Sequence, residues 1–418
     1  MPHKNGTNHL SSVDITIATR PNDLEALPGL LRDINASVDL VVLGKTVDRD
    51  DLLSKCRALV QALETPRETM INHIWAQIGV ISAITFGVDC GLWRLMARDG
   101  DKTYRVADLA AELGVDAALL CRLMRHLASM RILNEVGKEE YRGTNYTKSL
   151  SIPAIGYGYL SNIPWLSAGG LKFNEYSRHH GWKSPTDATD TPLMHAYDMK
   201  MDVFTWLKSR GYDSYFNQYL GGYNLGRLPW MDPGVYPVRE RLIEGATADA
   251  NAVFLVDIGG NIGHDMIRFR RYFPDAPGRL ILQDLPAVIS QTKGLDERIE
   301  AMDYDFLTEQ PIKGARAYLI HSCMHNWPDV VCEKMLARVK QAMKPGYSKL
   351  LLYELVIAEV GAHWEDTALD MVVMTYCASQ ERTAKAWHNL IEKRAGLKIV
   401  RIWNGGKGME SLIECELP

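Results

Sequence analysis

The sequence predicts an α/β protein with a Rossmann-like, mainly parallel sheet in its C-terminal part and a mainly α-helical winged-helix domain before it. After residue 246, short apolar strands alternate with helical stretches, the pattern of a parallel sheet covered by helices on both faces. Residues 104–135 show helix–turn–helix periodicity. The chain of 418 residues is too long for one ordinary core, so we expect more than one domain.

Composition and charge indicate a soluble globular protein. Hydrophobic residues make up 46%, charged residues 23%, and the net charge is −4. This balance creates no field that attracts nucleic acid or an acidic membrane, so we expect neither as a partner. The cysteines are scattered, with no C-x-x-C pair, which disfavours a disulfide framework or a zinc site and favours the reducing cytoplasm. They are Cys56, Cys90, Cys121, Cys323, Cys332, Cys377 and Cys415.

Residues 1–47 are predicted to form an N-terminal arm. Residues 1–22 are polar and lack the apolar core of a secretory signal. The arm shows little periodicity, so we expect it to be loose unless a partner orders it. The longest apolar runs, such as residues 78–84, are far shorter than a membrane span.

Helical periodicity begins at residue 48 and opens a predicted helical winged-helix domain, residues 48–245, which we interpret as a dimerisation and substrate-lid domain. Thr65, Pro66 and Glu68 form a capping-box start signal. The helix that follows is apolar on more than one face, which indicates burial without showing what covers it. A core helix and a contact with the second subunit of a homodimer both stay open. Its apolar residues are Ile71, Ile74, Trp75, Ile78, Ile81 and Ile84.

The helix–turn–helix segment is interpreted as a packing or dimerisation element. Gly114 ends its first helix, and residues 134–144 are predicted to form a β-wing. The second helix carries Arg122, Arg125 and His126 but no lysine cluster. Because phosphate contacts dominate DNA affinity, we favour packing over DNA binding.

Residues 166–241 are rich in aromatic residues and methionine, which is typical of either a pocket for a flat apolar ligand or a helical core. The polar stretch that follows predicts a domain boundary, with a catalytic domain at residues 246–418. Its predicted strands are residues 254–258, 280–283, 317–320, 350–355, 399–403 and 411–416. Its predicted helices are residues 263–272, 328–343 and 384–395.

A glycine-rich turn is the strongest local signal in this domain. Asp257 ends a buried strand, and Gly259, Gly260, Asn261 and Gly263 follow at the start of a helix. Glycines let the backbone turn tightly and approach a ligand at the helix N-terminus. The spacing differs from the G-x-G-x-x-G of dinucleotide sites, which disfavours a nicotinamide dehydrogenase.

Two further strand ends complete a predicted nucleoside site. Asp284, followed by Leu285, ends the next strand, where a carboxylate would hold a ribose diol. Asp305 and Phe306 lie in a predicted polar and aromatic turn, residues 302–306, which suits an adenine ring.

The turn after Asp257 resembles the D-x-G-x-G-x-G turn of methyltransferases that use S-adenosylmethionine (SAM), with Asn261 at the central glycine. The order and spacing of segments over about residues 50–418 resemble the plant and fungal small-molecule O-methyltransferases, specifically the fungal polyketide-type branch. The resemblance implies SAM as cofactor, a homodimer, and methylation of a hydroxyl on an aromatic or polyketide-like metabolite. The segments are residues 53–75, the winged helix, 231–245, 256–265, 282–286, 324–329, 344–346, 380–383 and 410–417.

The resemblance also implies roles for individual residues. In the family, the histidine of an H-D-W-x-D element is the general base, which here is His325, followed by Asn326 instead of Asp. Glu354 and Glu381 match the acids that orient and flank this histidine, and His321 matches a position near the cofactor. Positions that match acceptor contacts, which core packing explains equally well, are Phe216, Tyr223, Met371 and Met374.

The chemistry of a His–Glu site suits this reaction. A phenol has a pKa of ~10, so a histidine that takes its proton assists methyl transfer. A glutamate that accepts the other ring N–H fixes the tautomer, and no metal is needed.

The main alternative is a SAM-binding pericyclase that does not methylate. Such an enzyme needs no base, so His325 and Glu381 disfavour it, while Asn326 keeps it open. A winged-helix DNA regulator is disfavoured by the charge balance.

Overall fold

The structure, a computed structural model, describes residues 13–44, 48–222, 225–406 and 408–418. It divides into two compact units, Met1–Lys148 and Ser149–Pro418. The division falls before the long aromatic-rich region and not at residue 245, where the strand–helix alternation of the sequence begins.

The first unit is mainly helical among its described residues. A 3-10 turn at Ile15–Thr19 precedes the helices. The helices are α1 (Leu27–Val42), α2 (Arg49–Leu63), α3 (Pro66–Ile71), α4 (Gln77–Asp89), α5 (Leu92–Arg98), α6 (Val106–Leu113) and α7 (Ala117–Ser129). The strands β1 (Thr103–Arg105), β2 (Asn134–Gly137) and β3 (Glu140–Arg142) form an antiparallel sheet in the order β1–β3–β2.

Part of the predicted arm is regular structure. Helix α1 packs against α2, and the Asn22 and Asp23 amides donate to the carbonyls of Glu64 and Ala62 at 3.0 and 3.1 Å. The sequence pattern missed this helix because its N-cap residue, Ala26, makes no side-chain cap.

Helices α3 and α4 form one continuous run, Pro66–Asp89, joined by a π-helical turn at Asn72–Ala76. The predicted capping box between Thr65 and Glu68 is present. By length and composition this run could cross a membrane, and it is the only such helix among the described residues. A core helix of a soluble protein passes the same test. Only 28% of its most apolar window is buried, however, so most of that window is not covered by the described residues of this chain.

The second unit places helices around one large sheet. A short helix, α8 (Asn145–Ser149), spans the point of division. The helices of the second unit are α9 (Pro153–His179), α10 (Pro192–Ala196), α11 (Val203–Arg210), α12 (Asp213–Leu220), α13 (His264–Tyr272), α14 (Pro286–Ile289), α15 (Asp329–Ala342), α16 (Trp364–Cys377) and α17 (Ala384–His388). π-Helical turns lie at Arg239–Ile243 and Asn389–Arg394, and a 3-10 turn lies at Met324–Asn326. The strands are β4 (Val253–Ile258), β5 (Arg279–Asp284), β6 (Ile299–Asp303), β7 (Ala317–His321), β8 (Lys349–Glu354), β9 (Val356–Ile357), β10 (Arg382–Thr383), β11 (Lys398–Trp403) and β12 (Ser411–Glu416).

The large sheet has the strand order β11–β12–β8–β7–β4–β5–β6 within the described residues. Pairing is parallel from β6 to β8, and β12 runs antiparallel to both of its neighbours. Both faces are covered: Val256 of β4 packs in a cluster with Leu336 of α15, and Leu255 packs in another with Phe269 of α13. The predicted α/β class is confirmed. Strand β6, however, includes residues 302–303, which the sequence assigned to a turn.

The aromatic-rich region is mostly a helical core. Trp206 and Met194 are fully buried in a cluster with Tyr376 of α16. A Cβ at Gly169 of α9 would lie 2.7 Å from Thr375 of α16. These contacts explain why residues 149–245 group with the sheet.

Candidate active site

The glycine-rich turn joins β4 to α13 at the carboxyl edge of the sheet. Gly259, Asn261 and Gly263 have left-handed φ values of 72°, 54° and 90°. The Gly259 and Gly260 amides donate to the Gln283 carbonyl of β5 at 2.8 and 3.1 Å. Asn261 thus takes the conformation in which asparagine is among the best tolerated replacements for glycine.

Asp257 lies buried beneath this turn. Neither of its carboxylate oxygens has a hydrogen-bond partner among the described residues. Burial, followed by the charge of Asp265, raises the pKa of Asp257 well above its usual range. A buried carboxyl without a partner is costly, and it gains one when a cationic group binds beside it. The residues present therefore fit a positively charged ligand such as SAM.

Asp284 ends β5 beside the turn. Its Oδ2 accepts from the Asn261 amide at 2.8 Å, and its Oδ1 accepts from the Leu285 amide at 2.7 Å. Burial raises its pKa. Since β5 lies between β4 and β6, the exposed Asp305 and the half-buried Phe306, which follow β6, lie along the same edge. The structure therefore brings together the three strand ends that the sequence singled out.

His321 ends β7 and is held between two carboxylates. Its Nδ1 bonds to Asp265, and its Nε2 lies 3.0 Å from Glu410 Oε2. Although burial lowers the pKa of a histidine, the charges of Glu410 and Asp265 raise that of His321 well above its usual value. Both ring nitrogens are therefore engaged by carboxylates. Sequence reasoning missed Asp265 and Glu410.

His325 lies in the 3-10 turn Met324–Asn326 between β7 and α15. Its Nδ1 is 2.7 Å from Glu381 Oε1, and both side chains are buried. Burial alone would lower its pKa, but the charge and hydrogen bond of Glu381, with smaller effects of Glu354 and Glu410, raise the pKa of His325 to about 9. With Nδ1 bonded to Glu381, Nε2 is the ring atom that remains for proton exchange.

The two predicted acids act differently on this turn. Glu381 bonds to the His325 ring, and its own amide donates to Asp370 Oδ1 of α16 at 2.8 Å. Glu354, at the end of β8, accepts from the amides of Cys323 and Met324 at 2.9 and 2.7 Å. Glu354 therefore holds the backbone of the turn, while Glu381 orients the ring.

Asn326, where the family motif has Asp, uses both groups of its amide in hydrogen bonds. Its Nδ2 donates to the Ser322 carbonyl at 3.2 Å, and its Oδ1 accepts from the Tyr376 hydroxyl at 3.4 Å. A carboxylate would offer no donor to that carbonyl. The amide also places one negative charge fewer beside His325, which limits how far the His325 pKa rises.

An aromatic chain connects α12 with the His325 turn. The Phe216 ring lies 6.4 Å from Trp165, and Trp165 lies 4.5 Å from Tyr376, which bonds to Asn326. On α16, Met374 is half-buried one turn after Asp370, whereas Met371 is 50% exposed. Tyr223 lies outside the described residues. Phe216 is therefore connected to the His325 turn through Trp165 and Tyr376.

Similarity to known proteins agrees with this geometry. A family model described as an O-methyltransferase domain matches residues 245–398. O-methyltransferase mfmE of Annulohypoxylon moriforme is 35% identical over 365 residues, which cover 86% of this chain and 88% of that protein. O-methyltransferase mpaG of Penicillium roqueforti is 34% identical over 372 residues, which cover 88% of this chain and 93% of that protein.

Solved structures share the whole architecture. A structure described as a pericyclic reaction enzyme has a TM-score of 0.82 and 27% identity, covering 94% of this chain and all of that one (100%). LepI in complex with SAM has a TM-score of 0.83 and 26% identity, with coverage of 94% and 100%. OxaC in complex with sinefungin and meleagrin has a TM-score of 0.82 and 25% identity, with coverage of 94% and 99%.

The fold and the glycine-rich turn define a SAM-dependent methyltransferase. The chain belongs to the family of fungal O-methyltransferases that mfmE and mpaG represent.

Gly260 leaves no room for a side chain in this turn. A Cβ there would lie 2.5 Å from both Asp257 Oδ2 and Leu282 Cδ1. We expect Gly260→Ala to displace the turn, since overpacking costs about 1–3 kcal/mol. The expected result is a lower Tm and an affinity for S-adenosylhomocysteine (SAH) at least ~10-fold weaker, as 1.4 kcal/mol corresponds to tenfold. Thermal unfolding and SAH titration calorimetry measure the two effects.

Gly170→Ala is the matched control. A Cβ at this position of α9 meets nothing within 4 Å. Alanine stabilises a helix interior by about 0.5–1 kcal/mol relative to glycine, so Tm should hold or rise. An unchanged SAH affinity in Gly260→Ala would show that the turn does not hold the cofactor.

Proposed function

We propose that this protein transfers the methyl group of SAM to a hydroxyl of an aromatic or polyketide-like secondary metabolite, with His325 as general base. The buried hydrogen bond of 2.7 Å between His325 Nδ1 and Glu381 carries the proposal. Such a pair fixes the ring and leaves Nε2 for a proton. The family supports the reaction type, and the His–Glu pair supports the base.

Three residues of the site have separate proposed roles in the reaction. SAM, when bound, supplies an electrophilic methyl carbon. His325 Nε2 takes the acceptor hydroxyl's proton as its oxygen attacks, and Glu381 stabilises the imidazolium that forms. Because a nearby cation lowers the pKa of a histidine, His325 becomes neutral more readily once the cofactor is in place. Glu354 keeps the 3-10 turn, and with it the ring, in place.

The cofactor would lie along the edge formed by the ends of β4, β5 and β6. Asp284 is placed for the ribose hydroxyls, and Asp257 offers its carboxyl to a cationic group. His321 would contact the cofactor through ring carbons, because both of its nitrogens are engaged. The other proposed cofactor residues are Gly259, Gly260, Asn261, Leu285, Asp305 and Phe306.

The acceptor would lie on the side of α12 and α16. Phe216 and Met374 are the best-placed candidates, and Met371 lies at an exposed position. The role of Tyr223 stays a prediction. The aromatic chain through Trp165 and Tyr376 supports a flat apolar acceptor.

A pericyclase that binds SAM without transferring its methyl group is the second candidate. The likeness to a pericyclic reaction enzyme, at a TM-score of 0.82 and 27% identity, favours it. Such chemistry requires a shaped pocket but no proton removal, so it leaves the His325–Glu381 pair unexplained. We therefore rank methyl transfer first.

We also propose a cytoplasmic homodimer whose helical unit serves assembly. Trp75, Ile78 and Ile74 of the Pro66–Asp89 run are 66%, 53% and 50% exposed, so a second copy has a large apolar surface to cover. The cysteines are all free, which fits a reducing compartment. Light scattering after gel filtration tests the dimer, and a monomer at micromolar concentration would contradict it.

A labelled-methyl assay tests the function. The protein is incubated with methyl-deuterated SAM and a panel of phenolic polyketides or native extract, and products are analysed by mass spectrometry. We expect one product heavier by one deuterated methyl group, with an equal amount of SAH. An extract component that rearranges at constant mass, with no label transferred, would overturn methyl transfer in favour of the pericyclase.

A further inference from the structure

Asn261 does more than replace a glycine, because its side chain starts a chain of hydrogen-bonded amides. Its Oδ1 accepts from the Ile262 amide at 2.7 Å, and its Nδ2 donates to Asn217 Oδ1 of α12 at 3.4 Å. Asn217 Nδ2 donates to Gln291 Oε1 at 3.2 Å, and Gln291 Nε2 donates to the Ala287 carbonyl at 2.9 Å.

This chain has a consistent direction. Each of the three side chains donates through its nitrogen and accepts through its oxygen, so every amide in the chain is used on both sides. It ties the glycine-rich turn, α12 and the segment after β5 to one another. Asp284, which would hold the ribose, lies between two of these tied elements.

Helix α12 also packs closely against α13 and α9. A Cβ at Gly221 would lie 2.7 Å from His264 Cε1 at the start of α13. A Cβ at Gly158 of α9 would lie 2.9 Å from the ring of Tyr219 in α12. Because contacts this close leave little free space, a shift of the glycine-rich turn moves α12, and with it Phe216.

We propose that Asn217 is a positioning residue that couples cofactor binding at the glycine-rich turn to helix α12, the wall of the acceptor pocket. When SAM or SAH orders the turn, the Asn261–Asn217–Gln291 chain orders α12. The proposal rests on the proposed function only in assigning α12 to the acceptor. It concerns this chain in particular, because a glycine at position 261 would have no side chain to reach Asn217.

The test uses SAH as the probe, so it needs no acceptor. Hydrogen–deuterium exchange of the peptide that covers α12 is measured with and without SAH in wild type, Asn261→Gly and Asn217→Ala. Glycine accepts the left-handed φ of 54° at residue 261, so Asn261→Gly removes the link and keeps the turn. Asn251→Ala, in an exposed loop, is the control.

We expect SAH to slow the exchange of the α12 amides in wild type and in the control. In both link variants, SAH should no longer slow this exchange. SAH affinity should fall about 2- to 10-fold in each, the range for one neutral hydrogen bond. The double variant should be no weaker than either single one, because both break the same chain. With an acceptor that turns over, the KM for that acceptor should rise in Asn217→Ala while kcat is kept.

Two results would overturn the proposal. One is an α12 whose exchange does not respond to SAH in wild type. The other is equal SAH protection of α12 in wild type and Asn261→Gly. If no acceptor is methylated but the exchange pattern is as expected, the coupling stands and the proposed function fails, so the two failures are distinguishable.

Discussion

Replacing His325 with alanine is expected to lower methyl transfer by about 10²- to 10⁴-fold, the contribution of a positioned general base. SAH affinity should change little, because the glycine-rich turn, Asp257 and Asp284 lie at the ends of β4 and β5, whereas His325 follows β7. Single-turnover rates of labelled methyl transfer measure the first effect, and SAH calorimetry measures the second.

A second variant separates the loss of the base from damage to the fold. Alanine leaves the buried Glu381 without its partner, and breaking a buried pair costs about 3–5 kcal/mol. His325→Asn keeps an N–H for Glu381 but has no ring nitrogen, so we expect the same loss of turnover with a higher Tm than the alanine variant. His388→Ala is the matched control, because its contact of 3.0 Å with Glu392 is exposed. Turnover by His325→Asn within about tenfold of wild type would contradict the assignment of a base.

The sheet is predictable from sequence where a strand is buried on both faces. In β4 every residue from Phe254 to Ile258 is buried, and the predicted strand, residues 254–258, agrees with Val253–Ile258 within one residue. Strand β6 lies at the edge of the sheet. Its Ile299 is buried, but Glu300 and Asp303 are exposed. The strand therefore lacks the apolar run of a buried strand, and its polar residues look like those of a turn.

The central part of the site is predictable because it lies in short motifs. His325 and Glu381 each belong to a family segment, and the structure joins them over 56 residues of sequence. Which residue of one segment contacts which residue of another is a matter of tertiary structure. Glu410 reaches His321 over 89 residues, and Asn217 reaches Asn261 over 44. No local periodicity or spacing records such pairs, so only the folded chain reveals them.

The His325–Glu381 pair also links stability to pH. Since the pKa of His325 is raised to about 9, the ion pair stabilises the fold fully below the ordinary histidine pKa of ~6.5 and ceases to do so as the pH rises through about 9. Part of the fall in Tm of the wild-type protein over this window should therefore be absent in Glu381→Gln. Thermal unfolding at each pH measures this difference.

Glu381→Gln is expected to move the pH dependence of turnover to lower pH and to lower its plateau. The base must be neutral to accept a proton, so the rate rises with pH as His325 loses its extra proton. Removing the Glu381 charge lowers the pKa of His325, because an opposite charge at this distance changes a pKa by about 1–3. The profile should move to lower pH by the same amount. Glutamine still accepts the Nδ1 hydrogen bond but stabilises the imidazolium less, so the plateau should fall about tenfold or more. Profiles of kcat/KM for the acceptor at saturating SAM measure the shift, because they report the enzyme before the acceptor binds.

The profile identifies the group that titrates, because the two possible groups respond differently to this variant. The pKa of the acceptor hydroxyl in solution does not depend on the protein, so Glu381→Gln leaves it unchanged, whereas the variant lowers the pKa of His325. Glu392→Gln, at the exposed His388–Glu392 pair, removes a comparable charge from a histidine outside the site and should leave the profile in place. If the rise of the rate with pH moves in Glu381→Gln alone, His325 is the group that titrates. If the rise stays at the same pH in both variants, the acceptor hydroxyl is the group that titrates, and His325 takes no part in proton transfer.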